Sequence, residues 1–265
     1  MANDYMHDGI LHCGVCGKAK EVKFNLMGVD KTVPCLCDCE VAEREKEKQE
    51  WEEMQREIRI SDLRVNSIKD RERRKCRFEN AEMTPNLKKC LRYVENWDEM
   101  KEKNDGLILW GKCGNGKSFA AACIANALID KGVPALMTSF PAILSDQNNT
   151  IDIARQMQEY DLVILDDLGA ERQSQYALEK VFYIVDERYK SGKPLIVTTN
   201  QSMQTMLNYR KGLDKEGYAM GDNMEYARIY DRILEMCGSI HFEDDPRRKS
   251  RMMEKAMELK EILNG

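Results

Sequence analysis

The sequence predicts an α/β fold: a parallel five-stranded sheet with helices on both faces, preceded by a small cysteine-rich module and a charged helical connector. Three observations predict it. From Leu107 to Phe242, short apolar runs alternate with stretches of helical periodicity. Each apolar run is continuous, as in strands buried on both faces. The first run feeds directly into a glycine-rich loop that opens a helix.

Leu107-Ile108-Leu109-Trp110 leads into Gly111-Lys112-Cys113-Gly114-Asn115-Gly116-Lys117-Ser118, with the spacing G-x-x-x-x-G-K-[ST] of a phosphate-binding loop. Glycines at these places let the backbone aim N–H groups inward at phosphate oxygens. The N-terminus of the helix expected over Phe119–Lys131 adds a partial positive charge at the same spot. Lys117 is placed to reach the β- and γ-phosphates, and the Ser118 hydroxyl to ligate Mg²⁺.

The remaining elements follow in order. Thr84-Pro85 reads as an N-cap and first helical residue, with the helix running on through Leu87, Leu91, Val94 and Trp97. Later strands are predicted at Pro134–Thr138, Asp161–Asp166, Pro194–Thr198 and Ser239–Phe242. Helical pieces are expected between Phe140 and Gln158, broken around Asn148-Asn149, then over Tyr176–Tyr189, Glu225–Met236 and Arg247–Leu263.

Parallel sheets bind ligands at the carboxyl ends of their strands. The third strand ends in Asp166 and Asp167. The first acid is predicted to hold Mg²⁺, and the second to orient or deprotonate an attacking water. Asn200, after the fourth strand, can hydrogen-bond that water or the γ-phosphate, although Thr-Thr-Asn also reads as the start of a turn. Arg228 and Arg232 lie four apart on one helix. Arg232 is the choice for stabilising charge on a phosphate held by a neighbouring subunit, against an ion pair with Asp231 or Glu235.

Ten cysteines, five of them within the first forty residues, suggest metal before disulfides. Cys13 and Cys16 form one close pair, and Cys35, Cys37 and Cys39 a second group. Two close pairs separated by a loop suit a closed, structural Zn²⁺ site. Cys13, Cys16, Cys37 and Cys39 are the favoured ligands, with Cys35 as the alternate; free thiols or a Cys13–Cys16 redox pair are the competing readings. A module this small takes its folding energy from the metal.

The stretch from Glu40 to Arg74 lacks proline and glycine, and opposite charges recur at helical spacing, as in Glu43 with Lys46 and Glu53 with Arg56. It reads as one or two solvated helices, roughly 50 Å long if continuous. It is either a spacer or an arm whose thin stripe of Trp51, Met54, Ile58 and Leu63 docks on a partner. Arg71, Arg73, Arg74 and Lys75 at its end could touch phosphate or form a solvated face. The expected division is therefore 1–40, 41–76 and 77–265.

A net charge of -5 argues against coating nucleic acid through bulk charge. No run approaches eighteen apolar residues, and the start lacks the layout of a signal peptide, so a cytoplasmic protein without a membrane span is expected.

Taken in order, LILWGKCGNGKS, LVILDDLGAE, IVTTNQSM and ARIYDRI, with RFENAEMTP ahead of them, resemble the AAA+ ATPases of the DnaC and DnaI helicase-loader group, in the IstB-like ATP-binding class. The resemblance covers about Arg77 to Arg251, and the cysteine cluster is similar to the zinc-binding N-terminal domain of such loaders, including phage-encoded ones. It implies ATP- and Mg²⁺-dependent loading of a replicative hexameric helicase onto single-stranded DNA, with the N-terminal domain gripping the helicase and the AAA+ domains assembling in a spiral or ring. By that resemblance Lys112, Cys113 and the other loop residues bind nucleotide. Asn200 is then the first sensor, Arg232 the arginine finger, and Arg247 or Arg248 the second sensor. Asp167 stands where the group more often has glutamate, which implies slow hydrolysis, and little chain follows the fifth strand to build a full lid. A transposition helper ATPase of the same fold and a non-hydrolysing, nucleotide-gated adaptor are the alternative functions.

Overall fold

The computed structural model describes residues 3–145, 150–169, 175–219 and 224–243, with 257, 259, 260 and 263. Contacts divide the chain into two compact units, Met1–Arg59 and Ile60–Gly265.

The first unit holds two antiparallel hairpins, β1 (Tyr5–His7) with β2 (Ile10–His12), and β3 (Glu21–Leu26) with β4 (Val29–Pro34). The second hairpin occupies the stretch that the sequence reading treats only as a loop between cysteine groups. Val22, Phe24 and Leu26 alternate with polar residues along β3, the period of a strand. Met27 and Gly28 both take positive φ, 54° and 82°, which suits the two-residue turn that matches strand twist. The Asn25 side chain fixes that turn by accepting from the Gly28 N–H at 2.9 Å.

Helix α1 (Asp38–Ser67) begins inside the second cysteine group. The Glu40 carboxylate accepts from the Cys37 N–H at 3.1 Å, which satisfies a donor at the helix start. Beyond that the helix is largely solvated. Its pairs Lys46–Glu50, at 3.5 Å, and Lys48–Glu52, at 3.8 Å, are exposed. Each contributes no more than about 0.5 kcal/mol. Only the last turns bury anything: Ile60 and Leu63 pack on the core of the second unit, and Ser67 is buried.

The second unit continues with α2 (Arg71–Arg74), α3 (Pro85–Glu95), α4 (Trp97–Lys103), β5 (Gly106–Trp110) and α5 (Lys117–Asp130). Then come β6 (Ala135–Ser139), α6 (Phe140–Ser145), α7 (Thr150–Gln158), β7 (Leu162–Leu168) and α8 (Gln175–Lys190). The described order ends with β8 (Leu195–Thr199), α9 (Met203–Arg210), α10 (Met224–Met236) and β9 (Cys237–His241). The Thr84 hydroxyl caps α3 by accepting from the Leu87 N–H at 3.3 Å. The single helix expected through Trp97 is broken at Asn96, whose side-chain amide donates back to the Arg92 carbonyl at 2.7 Å.

The sheet is parallel and five-stranded, in the order β6-β7-β8-β5-β9. Side chains alternate between its faces. Leu109, Ile164 and Ile196 pack with the helix α5, while Ile108, Val163, Leu165 and Val197 pack with α8 and α10. Helix α5 is apolar all round, and Ala120, Ala121, Ala122 and Ala125 are without exposure, so it lies close between the sheet and α3. β7 runs two residues beyond the predicted end, and its register with β8 slips between Leu165 and Leu168. That bulge sits at the acidic pair and re-aims it. Among the described residues no helix is long and apolar enough to cross a membrane.

Candidate nucleotide and metal sites

The loop between β5 and α5 takes its shape from two glycines. At Gly111 φ is 142°, and a Cβ there would stand 2.2 Å from the Phe242 carbonyl oxygen. Gly116 caps α5 with φ 86°, left-handed, where an L side chain is strained. Lys117 folds back over the loop. Its Nζ donates to the Gly111 and Lys112 carbonyls, both at 2.8 Å, and to Asn200 Oδ1 at 2.7 Å. Burial pulls the ammonium's pKa down, opposed by the charges of Cys113, Asp167 and Asp166.

The two acids meet the same hydroxyl. Thr198 Oγ1 donates to Asp166 Oδ1 at 2.6 Å and accepts from the Asp167 N–H at 2.9 Å. Asp166 is almost wholly buried, and its other oxygen is 2.7 Å from Arg73 Nη2. Asp167 is half-exposed, with φ 60°, a left-handed conformation that Asp tolerates better than most residues. Lys117, Asp166, Asp167 and Asn200 thus converge at the carboxyl ends of β5, β7 and β8.

A cavity of about 970 Å³ opens beside them, lined by the loop from Cys113 to Ser118, Asp167 and Asn200. Its far walls come from residues the sequence reading did not single out: Asn80, Ala81 and Glu82 before α3, and His241, Phe242 and Glu243 around the end of β9. Asn115, an unspecified position in the motif, ties these walls to the loop. Its amide donates to the Phe242 carbonyl at 3.0 Å and the Glu243 carbonyl at 2.8 Å. Trp110 stacks on His241, with ring centres 3.8 Å apart. These contacts join segments more than a hundred residues apart, so no local spacing announces them.

The residues fit a nucleotide with Mg²⁺. The volume suits a small-molecule site. The Ser118 hydroxyl and the buried Asp166 carboxylate are hard oxygen donors of the type magnesium takes.

Of the other candidate residues, Arg232 pairs with Asp186 at 3.1 Å and lies 4.3 Å from the Tyr189 ring centre. Its partner is neither Asp231 nor Glu235, and it does not line the cavity. Arg228 stacks over Phe182. Arg247 and Arg248 lie outside the described residues, as does most of the expected terminal helix.

In the first unit the sulfurs of Cys13, Cys16, Cys37 and Cys39 all lie within 4.8 Å of one another. A tetrahedral zinc with bonds of about 2.3 Å would set them about 3.8 Å apart, so the four fit the ion. Cys35 instead points its thiol at the Ala19 carbonyl, 3.5 Å away. The Cys16 thiol is drawn down to about 6, first by a backbone hydrogen bond at Lys18. Cys39 is pushed up to about 12, chiefly by its hydrogen bond to Cys16 and then by burial. Packed together, the thiols cannot all ionise without a cation among them.

Three kinds of similarity bear on this arrangement. The Escherichia coli K12 replicative helicase loader DnaC is 29% identical over 144 residues, 49% of this chain and 58% of its own length. The Bacillus subtilis replicative helicase loader DnaI is 26% identical over 156 residues, 55% of this chain and 48% of its own. The chain therefore spans about half the length of these curated relatives. Among solved structures, DnaI aligns with a TM-score of 0.54 at 24% identity, covering 66% of this chain and 94% of that one. The DnaC helicase loader aligns with a TM-score of 0.52 at 21% identity, covering 66% and 100%. Both likenesses are of fold. The model of the IstB-like ATP binding protein family matches residues 21–255, and the chain belongs to that family.

Proposed function

We propose that this protein is an ATP-dependent loader that delivers a replicative hexameric helicase to single-stranded DNA during the initiation of replication. The observation that carries this reading is the convergence of Lys117, Asn200, Asp166 and Asp167 beside one cavity, in a chain similar to loaders of this type. Residues 1–40 act as a zinc-stabilised grip, 41–76 as the arm, and 77–265 as the ATPase domain.

In the nucleotide site, the amides from Gly111 to Ser118 hold phosphate, and Lys117 exchanges its carbonyl partners for β- and γ-phosphate oxygens. Ser118 and Asp166 hold Mg²⁺. The bound Mg²⁺–ATP supplies the bond to be broken and the charge to be stabilised. Asp167 orients water and takes its proton, and Asn200 keeps that water in line. Arg232 gives up Asp186 to reach a phosphate on a neighbouring copy, which calls for self-association in a spiral or ring when ATP is present. Arg247 or Arg248 senses the nucleotide from the chain's own side. The zinc is structural, and the protein works in the cytoplasm without a membrane.

The test pairs the purified protein with candidate hexameric helicases. Capture of one helicase and its ATP-dependent transfer to single-stranded DNA is the expected result. Nucleotide binding without capture of any helicase would turn the reading toward a transposition helper. Capture with no turnover, with or without DNA, would turn it toward an adaptor.

A further inference from the structure

Arg73 does something that neither a solvated face nor a phosphate contact accounts for. Its guanidinium reaches from the Asp166 carboxylate, one of the two groups read above as the magnesium site, to the backbone of Ser118. One nitrogen, Nη2, is 2.7 Å from Asp166 Oδ2, and another, Nη1, donates to the backbone carbonyl of Ser118 at 3.1 Å. Among the described residues, the other hydrogen-bond partner of the buried Asp166 carboxylate is a neutral group, the Thr198 hydroxyl. A carboxylate so placed is costly without a positive charge beside it. Arg73 supplies that charge at Asp166 Oδ2, an oxygen that Asp166 would need in order to hold a metal ion.

The residue is mounted on a pinned segment. Ile68 forms a parallel bridge with Met137 on the edge strand β6. Arg74 binds the carbonyls of Ile68, Val65 and Lys69, closing the end of α1. The Asn126 amide on α5 donates to the Arg73 carbonyl at 2.8 Å and the Cys76 carbonyl at 3.0 Å. The backbone of α2 is therefore held, while the Arg73 guanidinium has carboxylates of two residues within reach. A second partner stands ready: Asp70, the N-cap of α2, has a carboxylate oxygen 3.6 Å from Arg73 Nε. Asp70 is mostly exposed, so an ion pair with Arg73 there is weaker than the buried one.

We infer that Arg73 is a built-in latch that occupies the cation position at Asp166, and that Mg²⁺ must displace it toward Asp70 before nucleotide is held productively. The inference rests on the reading of Ser118 and Asp166 as the magnesium site. Two positive charges cannot share one buried carboxylate at this distance without strong repulsion. Occupancy by Arg73 and by Mg²⁺ is then mutually exclusive, and each weakens the other by the same factor. Because α2 directly follows α1, the state of the metal site is read out at the root of the arm.

The experiment titrates MgCl₂ into full-length protein with a fluorescent ADP analogue, for the wild type, Arg73→Ala, Arg73→Lys and Lys117→Ala. Arg73→Ala is expected to lower the Mg²⁺ midpoint by about tenfold, from the loss of one charge-assisted bond to a buried group. Arg73→Lys keeps the charge without the fork and should fall between. Thermal melts supply a second reading that does not depend on binding. Without Mg²⁺ and nucleotide, Arg73→Ala should melt below the wild type, because Asp166 is left unpaired; with both at saturation the gap should close. An unchanged or raised midpoint in Arg73→Ala overturns the latch, as does a melting gap of equal size in both states, which marks a plain structural brace. Wild-type protein that binds no analogue at any Mg²⁺ concentration, or Lys117→Ala that binds as well as wild type, removes the nucleotide site itself and the latch with it.

Discussion

Lys117 Nζ and Asn200 Oδ1 are 2.7 Å apart, joining the start of α5 to the end of β8. With the two loop carbonyls, Asn200 completes a set of three oxygens around an ammonium removed from water. In the proposed nucleotide site the ammonium would exchange those oxygens for phosphate. Two variants separate its role from that of its partner. Lys117→Ala should weaken nucleotide binding by about 100-fold, the loss of more than one charge-assisted bond. Asn200→Ala should leave affinity within about threefold and lower turnover by tenfold or more, if its amide positions water. Calorimetry and phosphate release measure the two effects. A large loss of affinity in Asn200→Ala would make it a lysine positioner.

Asp167 carries the second prediction. It sits at φ 60° beside a strand bulge, and its N–H is committed to Thr198. Asp and Asn adopt left-handed backbone more readily than longer residues do. Asp167→Asn should keep the fold and nucleotide affinity while turnover falls about 100-fold, the scale of a lost general base. Asp167→Glu meets a backbone cost of about 1 kcal/mol, a fall of roughly 2–4 °C in Tm for a chain of this size. The short acid is thus a companion of the backbone turn as much as a brake on hydrolysis. A Glu variant with undiminished Tm would contradict this.

The cysteine module gives a third. Without metal, Cys39 is held near 12 and Cys37 is also raised, by burial and by hydrogen bonds with Cys13, Glu40 and Cys16 that outweigh a backbone hydrogen bond at Glu40. Both thiols therefore carry protons at neutral pH, and zinc must expel them. Zinc uptake should release protons at pH 7, and affinity should fall as pH drops, since protons then compete for the sulfurs. Calorimetry in buffers of different ionisation enthalpy reads the proton count directly. A strong chelator should remove one zinc per chain and unfold the β3–β4 hairpin while the sheet of the second unit stays intact. Cys37→Ser should mimic the chelator, and Cys35→Ser should not, because the Cys35 thiol is turned to Ala19.

What was legible in the sequence follows the range of the interactions involved. The inner strands β5, β7 and β8 are legible as continuous apolar runs, because both faces of the sheet are covered there, whereas the edge strand β9, Cys237-Gly238-Ser239-Ile240-His241, is half exposed and carries a weaker signal. The ends were less legible. β7 overruns its acids because pairing with β8 resumes beyond the bulge, at Leu168 with Thr199. β9 starts at Cys237, directly after α10, where no turn residue marks the change. The β3–β4 hairpin carries a short signal in the alternation of Val22, Phe24 and Leu26, in a segment flanked on both sides by cysteines. In the site, the glycine-rich loop and the twin acids are local patterns. The walls from Asn80–Glu82 and His241–Glu243, and the reach of Arg73 to Asp166, depend on tertiary packing that no spacing encodes.

The last prediction concerns where the chain can be cut. A fragment beginning at Ile60 keeps Ile60, Leu63 and Ile68 on the core, Arg64 and Arg77 on Asp130, and all three carbonyls that Asn126 serves. It should melt close to the full chain's second unit and bind nucleotide with the same affinity. A fragment beginning at Arg77 loses the buried Ile68 side chain, two of the carbonyls that the Asn126 amide serves and the guanidinium paired with Asp166. Truncation of one large buried aliphatic costs about 2–5 kcal/mol, and the buried carboxylate that has lost its ion-pair partner adds to it. A loss of at least about 5 kcal/mol is therefore expected from the second cut alone. Neither fragment should capture helicase if residues 1–40 are the grip, so the first cut separates recruitment from nucleotide binding in a folded protein. Equal stability of the two fragments would show that α2 contributes little to the ATPase body. Helicase capture by the Ile60 fragment would move the grip out of the cysteine module and the solvated part of the arm.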